Sequence, residues 1–346
     1  MTTIKEIAEY THVSAATVSN VLNGKGGASD AKTREIREVA EKLHYTPNLL
    51  AKRLKKQRSN TIGIITEDLT VFNTPEIVDG VDASCEENGF EIILGNMRLY
   101  KRYHNDFTDT QKHQKLLDSM IENMLSHQVE AIVYVGYHCR ELIYLPSHIT
   151  VPIVYAYCYP KDCKYPSVIY DDEKAAEDIT GLMIKRGHKH IGAICGPLDS
   201  FHTLERLKGY QTALFQNNIL CDPKLLQYGD WTRSSGYAAA EQLIQNGVTG
   251  IFAFNDEMAS GVYEYCANHD IKIGKDISLV GFDNREIGED YTPKLTTVSL
   301  PLEGIGKKCT QLLISSLNKD EVQTPKVTRL PCTILERESI GDCPQK

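Results

Sequence analysis

Two groups of residues in this 346-residue sequence have the types and spacing for chemistry. One is a short polar run, Ser14, Thr17, Ser19, Asn20 and Asn23, interleaved with Val18, Val21 and Leu22 at helical spacing. Hydroxyls on such a helix suit phosphates, and an asparagine amide can pair bidentately with adenine. The other group is scattered. Tyr157, Asn255, Asp256 and Asp283 each close an apolar run of strand type, and ligands of open α/β sheets bind beyond the carboxyl ends of strands. Other chemistries find no support. The ten cysteines contain no Cys-x-x-Cys pair, and neither Cys158/Cys163 nor His188-Lys189-His190 has a second pair at zinc spacing, so no metal site is expected. There is no Gly-x-Ser-x-Gly elbow, Walker loop or His-Glu-x-x-His, and no nucleophile with a placed base, so neither catalysis nor a cofactor is expected.

The elements that must position the first group are three short helices. Ile4, Ile7 and Ala8 make one apolar burst, Val18, Val21 and Leu22 a second, and Ile36, Val39, Ala40 and Leu43 a third. Only Thr11-His12-Val13-Ser14 separates the first two, and Ser14 is a good N-cap for a helix opening at Ala15. Two helices joined by a tight turn and closed by a third is the helix-turn-helix pattern, with its second helix destined for the major groove. Charge agrees. Residues 1–58 carry 11 Lys and Arg against 6 Asp and Glu, whereas the remainder carries 27 against 40. The overall charge of −8 therefore hides a basic head on an acidic body, as a DNA-reading domain joined to a larger one should show. The loop 24–28 is glycine-rich without the framing of a phosphate-binding loop, although its Lys25 is placed to touch DNA. Residues 46–56 start with a threonine cap and a proline at a first helical position, but are too few for a stable isolated helix.

The second group needs a larger frame. From residue 61, strand-like runs (61–65, 91–97, 131–136, 152–157, 168–171, 191–196, 251–255, 278–283 and 296–300) alternate with helical stretches (76–87, 112–126, 173–186, 206–216, 234–245 and 257–268). Such alternation means parallel sheets covered by helices, and this many strands suit two doubly wound lobes. Turn-rich stretches at 158–164 and 291–294 are candidate crossovers between lobes. Residues 98–112 form a long polar connection with no assigned role. No apolar run of 18 residues marks a membrane span, and residues 1–5 lead into a helix without a signal-peptide core. A cytoplasmic, nucleoid-associated protein is expected, rather than a secreted solute receptor.

Thr3-Ile4-Lys5-Glu6-Ile7-Ala8, Val13-Ser14-Ala15-Ala16-Thr17-Val18-Ser19-Asn20-Val21-Leu22-Asn23, Lys32-Thr33-Arg34 and Tyr45-Thr46-Pro47-Asn48-Leu49-Leu50-Ala51 together resemble the LacI/GalR family of bacterial repressors. Later landmarks extend the resemblance through nearly the whole chain: Gly187-His188, Gly196-Pro197, Arg206-Leu207-Lys208-Gly209-Tyr210 and Gly281-Phe282-Asp283-Asn284. The resemblance implies a helix-turn-helix domain over 1–46, a hinge helix over 47–58, and a periplasmic-binding-protein-like core. The core's N-terminal lobe would be 60–158 with 292–323, and its C-terminal lobe 159–291 with 324–340. It implies that Ala15, Ala16 and Asn20 face base edges, two of them with only a methyl to offer. Thr3, Ser14, Thr17, Ser19, Asn23 and Lys25 would meet the backbone, and Ala51, Leu54 and Lys55 the minor groove, with Leu54 as an apolar wedge. It further implies an effector held by Arg206, Asn255 and Asp283, stacked on Trp231, flanked by Tyr157 and His202, and enclosed by Phe72 or Asn73. Arg with Asp suits vicinal hydroxyls, and an indole suits the apolar face of a pyranose. The expected function is a homodimeric repressor of carbohydrate-utilisation genes. It would bind pseudo-palindromic operator DNA with an affinity set by a sugar or sugar derivative. A purine or other metabolite as effector, or a solute receptor without DNA function, is the alternative.

Overall fold

The computed structural model describes residues 2–45, 58–103, 110–320 and 326–344. They belong to two compact units, Met1–Ser59 and Asn60–Lys346. Among the described residues, no helix is long and apolar enough to cross a membrane.

The first unit is built by its caps. Helix α1 (Ile4–Thr11) opens with a capping box, in which the Thr3 hydroxyl accepts from the Glu6 amide and the Glu6 carboxylate accepts from the Thr3 amide. It ends at His12, which takes the left-handed conformation (φ 52°) and turns the chain into α2 (Ala15–Leu22). The Ser14 hydroxyl caps α2 by accepting from the Thr17 amide at 3.1 Å. Ser29 caps α3 (Asp30–Lys42) in the same way. Ile7, Ala8, Val18, Val21, Ile36 and Ala40 form the buried core between the three helices. The apolar bursts of the sequence thus face one another.

The second unit holds strands β1 (Thr61–Thr66), β2 (Glu91–Asn96), β3 (Ala131–Val135), β4 (Glu141–Leu142), β5 (Ile153–Ala156), β6 (Tyr159–Pro160), β7 (Ser167–Tyr170), β8 (Ile191–Cys195), β9 (Leu226–Tyr228), β10 (Gly250–Ala253), β11 (Ser278–Val280), β12 (Thr297–Ser299), β13 (Val327–Leu330) and β14 (Thr333–Leu335). One sheet is parallel throughout, in the order β13-β7-β5-β3-β1-β2, and a second runs β11-β10-β8-β9. The inner strands are buried along their whole length, which is why they read as unbroken apolar runs rather than alternating ones. A small antiparallel pair, β12 with β14, touches the second sheet through bridges from Val280 to Thr296 and from Asp283 to Ser299. Helices cover the sheets, and two of them, Thr74–Glu87 and Leu302–Asn318, meet so closely that a side chain at Gly80 would strike the Glu303 carbonyl.

The lobe boundaries differ from the sequence expectation. The sequence expectation places residues 159–171 in the second lobe, but Ser167–Tyr170 hydrogen-bonds between β5 and β13 in the first sheet. The segment 324–340 is likewise split, with Val327–Leu330 in the first sheet and Thr333–Leu335 paired to β12. The chain therefore crosses between lobes at about residues 171, 300–301 and 331–332, not at 158–164 and 291–294. Turn residues mislead there because both stretches lie within a lobe, the first carrying β6 and a 3-10 turn (Lys161–Cys163), whereas the crossovers themselves are short. The Leu302–Asn318 helix and strand β9 go beyond the elements read from the sequence, and the helix expected from 206 begins at Phe201.

Candidate DNA-reading face and effector cleft

On α2, Val18 and Val21 point into the core, which leaves Ala15, Ala16 and Asn20 exposed on the outer face. The Asn20 carbonyl accepts from the Lys25 amide at 2.9 Å, but among the described residues its side chain has no hydrogen-bond partner, and its Nδ2 lies beside Gly27, where a Cβ would come within 3.7 Å. The neighbouring polar groups are already engaged. The Ser14 and Thr17 hydroxyls are 2.9 Å apart, and Asn23 donates to the Ser19 carbonyl at 2.7 Å. They form a fixed polar rim around the two alanines and the free amide. Thr3 and Lys25 are exposed at the edges of the same unit. Ala51, Leu54 and Lys55 lie outside the described residues.

In the second unit, the carboxyl ends of strands from both sheets converge on Arg206, in the Phe201–Gln216 helix. Its guanidinium is buried, and every nitrogen has a protein acceptor. Nε donates to Asp172 Oδ1 at 2.7 Å, Nη1 to the Phe254 carbonyl, and Nη2 to Tyr170 Oη at 3.1 Å and Asp283 Oδ1 at 3.4 Å. The Phe282 ring lies 3.7 Å and the Trp231 ring 5.8 Å from Cζ. One helical turn earlier, His202 Nδ1 is 2.9 Å from Asp172 Oδ2 and Nε2 is 3.0 Å from Tyr157 Oη.

Electrostatics separates the carboxylates. Burial alone would raise the Asp172 pKa, but His202 and Arg206 outweigh it and hold that carboxyl below its usual range. At Asp283 burial wins over the single contact with Arg206, and the pKa rises to about 6. Asp256 goes to about 7, through burial and the neighbouring charge of Asp283. Its carboxylate accepts from Thr297 Oγ1 at 2.6 Å and from the Arg285 amide at 2.7 Å, tying the helix after β10 to the crossover strand β12.

The backbone is bent to serve this site. Tyr157, Trp231, Asp283 and Asn284 all have positive φ (59°, 72°, 103° and 53°) although none is glycine. Such conformations persist where surrounding contacts over-determine them, and they cluster at functional sites. Asn255 supplies one such contact: its Oδ1 caps the Asp256–Asn268 helix at the Met258 amide, while its Nδ2 donates to the Trp231 carbonyl. The indole in turn rests on Gly196, where any Cβ would fall inside the ring. From the first lobe, the Phe72 ring lies 4.5 Å from the Arg285 guanidinium, across a cavity of about 470 Å³ whose lining includes Phe72, Asp283, Arg285 and Ser299. Asn73 is fully buried, with Nδ2 3.5 Å from the Gly136 carbonyl and Oδ1 without a partner among the described residues.

The fold thus brings Tyr157, His202, Arg206, Trp231, Asn255 and Asp283 into one network and sets Phe72 on the cavity beside it, whereas Asn73 is buried against the Gly136 carbonyl and does not line that cavity. Sequence reasoning missed Tyr170 and Asp172, which stand at the end of β7 and would have been found by applying the strand-end rule there. It also missed Glu67, directly after β1. This buried carboxylate takes two bonds from Arg140 (2.7 and 2.9 Å) and one each from Tyr134 and Tyr144 (both 2.7 Å). Burial raises its pKa and Arg140 more than reverses that.

A DNA-reading helix face and a ligand cleft between two parallel-sheet lobes define a ligand-responsive DNA-binding regulator. Residues 3–48 match the bacterial regulatory proteins of the lacI family, and residues 180–340 match the periplasmic binding protein-like domain. The chain is 30% identical to the HTH-type transcriptional repressor PurR of Vibrio atlanticus (strain LGP32), over 98% of this chain and 99% of that protein. It is also 30% identical to catabolite control protein A of Priestia megaterium, over 97% and 98%. A lac repressor structure bound to ONPG in the repressed state shares the fold, with a TM-score of 0.77 at 23% identity over 98% and 99% of the two chains. The complex of the transcriptional regulator CelR with cellobiose gives 0.63 at 25% identity over 98% and 100%. The chain belongs to the LacI family, and it is a DNA-binding transcriptional regulator, not an enzyme.

Proposed function

We propose that this regulator is a homodimeric repressor of carbohydrate-utilisation genes, acting in the cytoplasm, whose effector is a sugar or sugar derivative bound between the lobes. The observation that carries the ligand class is the pairing of Arg206 with Asp283 beside the Trp231 indole. Asp283 lines the 470 Å³ cavity, Arg206 bonded behind it keeps one N–H beyond the four it donates, and the indole beside Arg206 supplies an apolar face. Fixed acceptors and donors beside an aromatic plane match the hydroxyls and C–H face of a pyranose. Binding there would draw on Phe72 and Asn73 from the first lobe and on Tyr157, His202 and Asn255 around the second. The cellobiose bound by the CelR relative is consistent with this class.

On DNA, Asn20 reads an adenine, Ala15 and Ala16 make methyl contacts, and Thr3, Ser14, Thr17, Ser19, Asn23 and Lys25 set the register on phosphates. Two copies match a pseudo-palindromic operator because a two-fold protein reads two-fold DNA. Ala51, Leu54 and Lys55 complete the interface in the minor groove. Leu54→Ala should weaken specific binding far more than non-specific binding in gel-shift titrations, and equal loss on both would remove the wedge role. The ligand class is tested by titrating the full chain with sugars, sugar phosphates and purines while recording the emission of Trp231, the only tryptophan. A saturable response to a sugar supports the proposal, and a response to purines alone overturns it.

A further inference from the structure

We propose that Arg329, reaching across from the first lobe, is the positioning residue that couples the effector site to that lobe, through the outer face of the Phe201–Gln216 helix. The inference rests on the reading of the cleft as the effector site and adds to it the part that transmits occupancy.

Two neighbouring stripes run along the start of this helix. His202 and Arg206, four residues apart, turn inward and join the buried network with Tyr170 and Asp172. Phe201 and Glu205, also four apart, form the stripe beside it, and the first lobe holds this one. Arg329 of β13 donates through Nη1 to Glu205 Oε2 at 2.7 Å, and its Cζ stands 5.9 Å from the centre of the Phe201 ring. Tyr159 of β6 meets the same ring edge-on at 5.8 Å. A third contact of Arg329 is Asp171 Oδ1, at 3.9 Å. Each residue that Arg329 reaches is thus the chain neighbour of one that the network uses: Asp171 of Asp172, Phe201 of His202, and Glu205 of Arg206.

The backbone under Arg329 belongs firmly to the first lobe. Val327–Leu330 pairs with Ser167–Tyr170 along its whole length, and the Leu330 carbonyl accepts from the Asp171 amide at 3.0 Å. Only the Arg329 side chain extends to the helix of the second lobe. A helix moves as one body, so an effector that draws on His202 or Arg206 displaces Phe201 and Glu205 with them. A shift of about 1 Å takes a guanidinium–carboxylate contact out of hydrogen-bond range. The Arg329–Glu205 pair is partly exposed and adds little to stability. Its effect is on the balance between lobe arrangements, because a contact made in one arrangement and lost in another shifts their equilibrium. The first lobe opens with β1, the strand that follows the head in the chain, so operator acts on this lobe before the second.

Amide hydrogen exchange of residues 201–206 in the full chain tests this, with and without saturating amounts of a duplex selected for binding from random DNA. The duplex should change exchange there by about fivefold or more in the parent. Arg329→Gln and Glu205→Gln should each remove that change. Lys208→Gln, which breaks a pair with Glu173 within the second lobe from the same helix, should behave as the parent. No change in the parent, a change that survives both variants, or one lost equally in Lys208→Gln would overturn the proposal. Calorimetric titration with glucose, galactose, ribose, cellobiose and maltose adds the ligand side. For a sugar that binds, Arg329→Gln should keep the DNA-free Kd within about threefold while the change in Kd caused by the duplex collapses toward one. A duplex effect on Kd that persists in this variant would overturn the coupling role. A panel in which no sugar binds would overturn the sugar reading alone, and the exchange result would still decide the role of Arg329.

Discussion

Arg206 pairs with two carboxylates, Asp172 and Asp283, whose charged forms burial opposes. Removing one partner of a buried ion pair leaves an uncompensated charge and typically costs about 3–5 kcal/mol. Arg206→Ala, which strands Asp172 beside His202 and leaves Asp283 unpaired, should fall in that range in urea unfolding followed by far-UV circular dichroism. Arg206→Lys should recover only part of it, because an ammonium cannot reach Asp172, the Phe254 carbonyl and Tyr170 together. His138 adds a pH dependence of definite sign. Burial, with the nearby charges of His202 and Arg140, lowers its pKa from 6.5 to about 4 on folding, so the folded protein resists protonation. The stability it contributes is complete above pH 6.5 and is lost as pH falls toward 4. His138→Gln should therefore close the gap in thermal midpoint between pH 7.5 and pH 5 relative to the parent. An unchanged gap would remove His138 from the account. At this scale the sequence offers residue types but not their partners: Arg206, Asp283 and Trp231 are identifiable, whereas Asp172, the acceptor that orients Arg206, opens the helix after β7 and carries no motif of its own.

The elements were easier to read where local rules act alone. The cap at Ser14 and the apolar spacing of α1 to α3 stand in the structure as the sequence implied, with no long-range information needed, and the capping box at Thr3 adds a local signal not read from the sequence. The second unit was legible as alternating strands and helices, but strand order depends on pairing between distant segments. Ser167–Tyr170 and Val327–Leu330 look like any short strand until their register in one sheet is seen. The turn that carries Trp231 was equally hidden, because its left-handed backbone exists only through Asn255 and Gly196. That turn is testable. Gly196→Ala would push a methyl into the indole, and overpacking of this kind costs about 1–3 kcal/mol. At about 2–4 °C per kcal/mol for a domain of this class, the melting temperature should drop by several degrees, with a shift in tryptophan emission. A lowered midpoint with unchanged emission would mean that Trp231 stays seated and the strain is absorbed elsewhere.

For the whole molecule, the charge division between a basic head and an acidic body was visible in the sequence, and it sets how the two activities can be separated. Phosphate contacts make DNA affinity fall with salt, whereas a neutral sugar in a buried cleft should be nearly indifferent to it. If Asn20 reads a base as proposed, and not a phosphate, Asn20→Ala should cost about 1–3 kcal/mol on the cognate operator and little on random DNA, while leaving the salt slope unchanged. Coupling between the two sites is constrained more tightly still. If the effector changes operator affinity by some factor, operator DNA must change effector affinity by the same factor, and allosteric couplings of about 1–3 kcal/mol make that factor roughly 5 to 150. Calorimetry of the effector with and without saturating operator, set against operator binding with and without saturating effector, should therefore return one number. Deleting residues 1–58 should leave the DNA-free effector affinity unchanged and abolish its response to operator. A truncated protein that lost its ligand would place part of the effector site in the head, and unequal factors in the two directions would reveal a third state, such as dissociation of the dimer, linked to one of the two ligands.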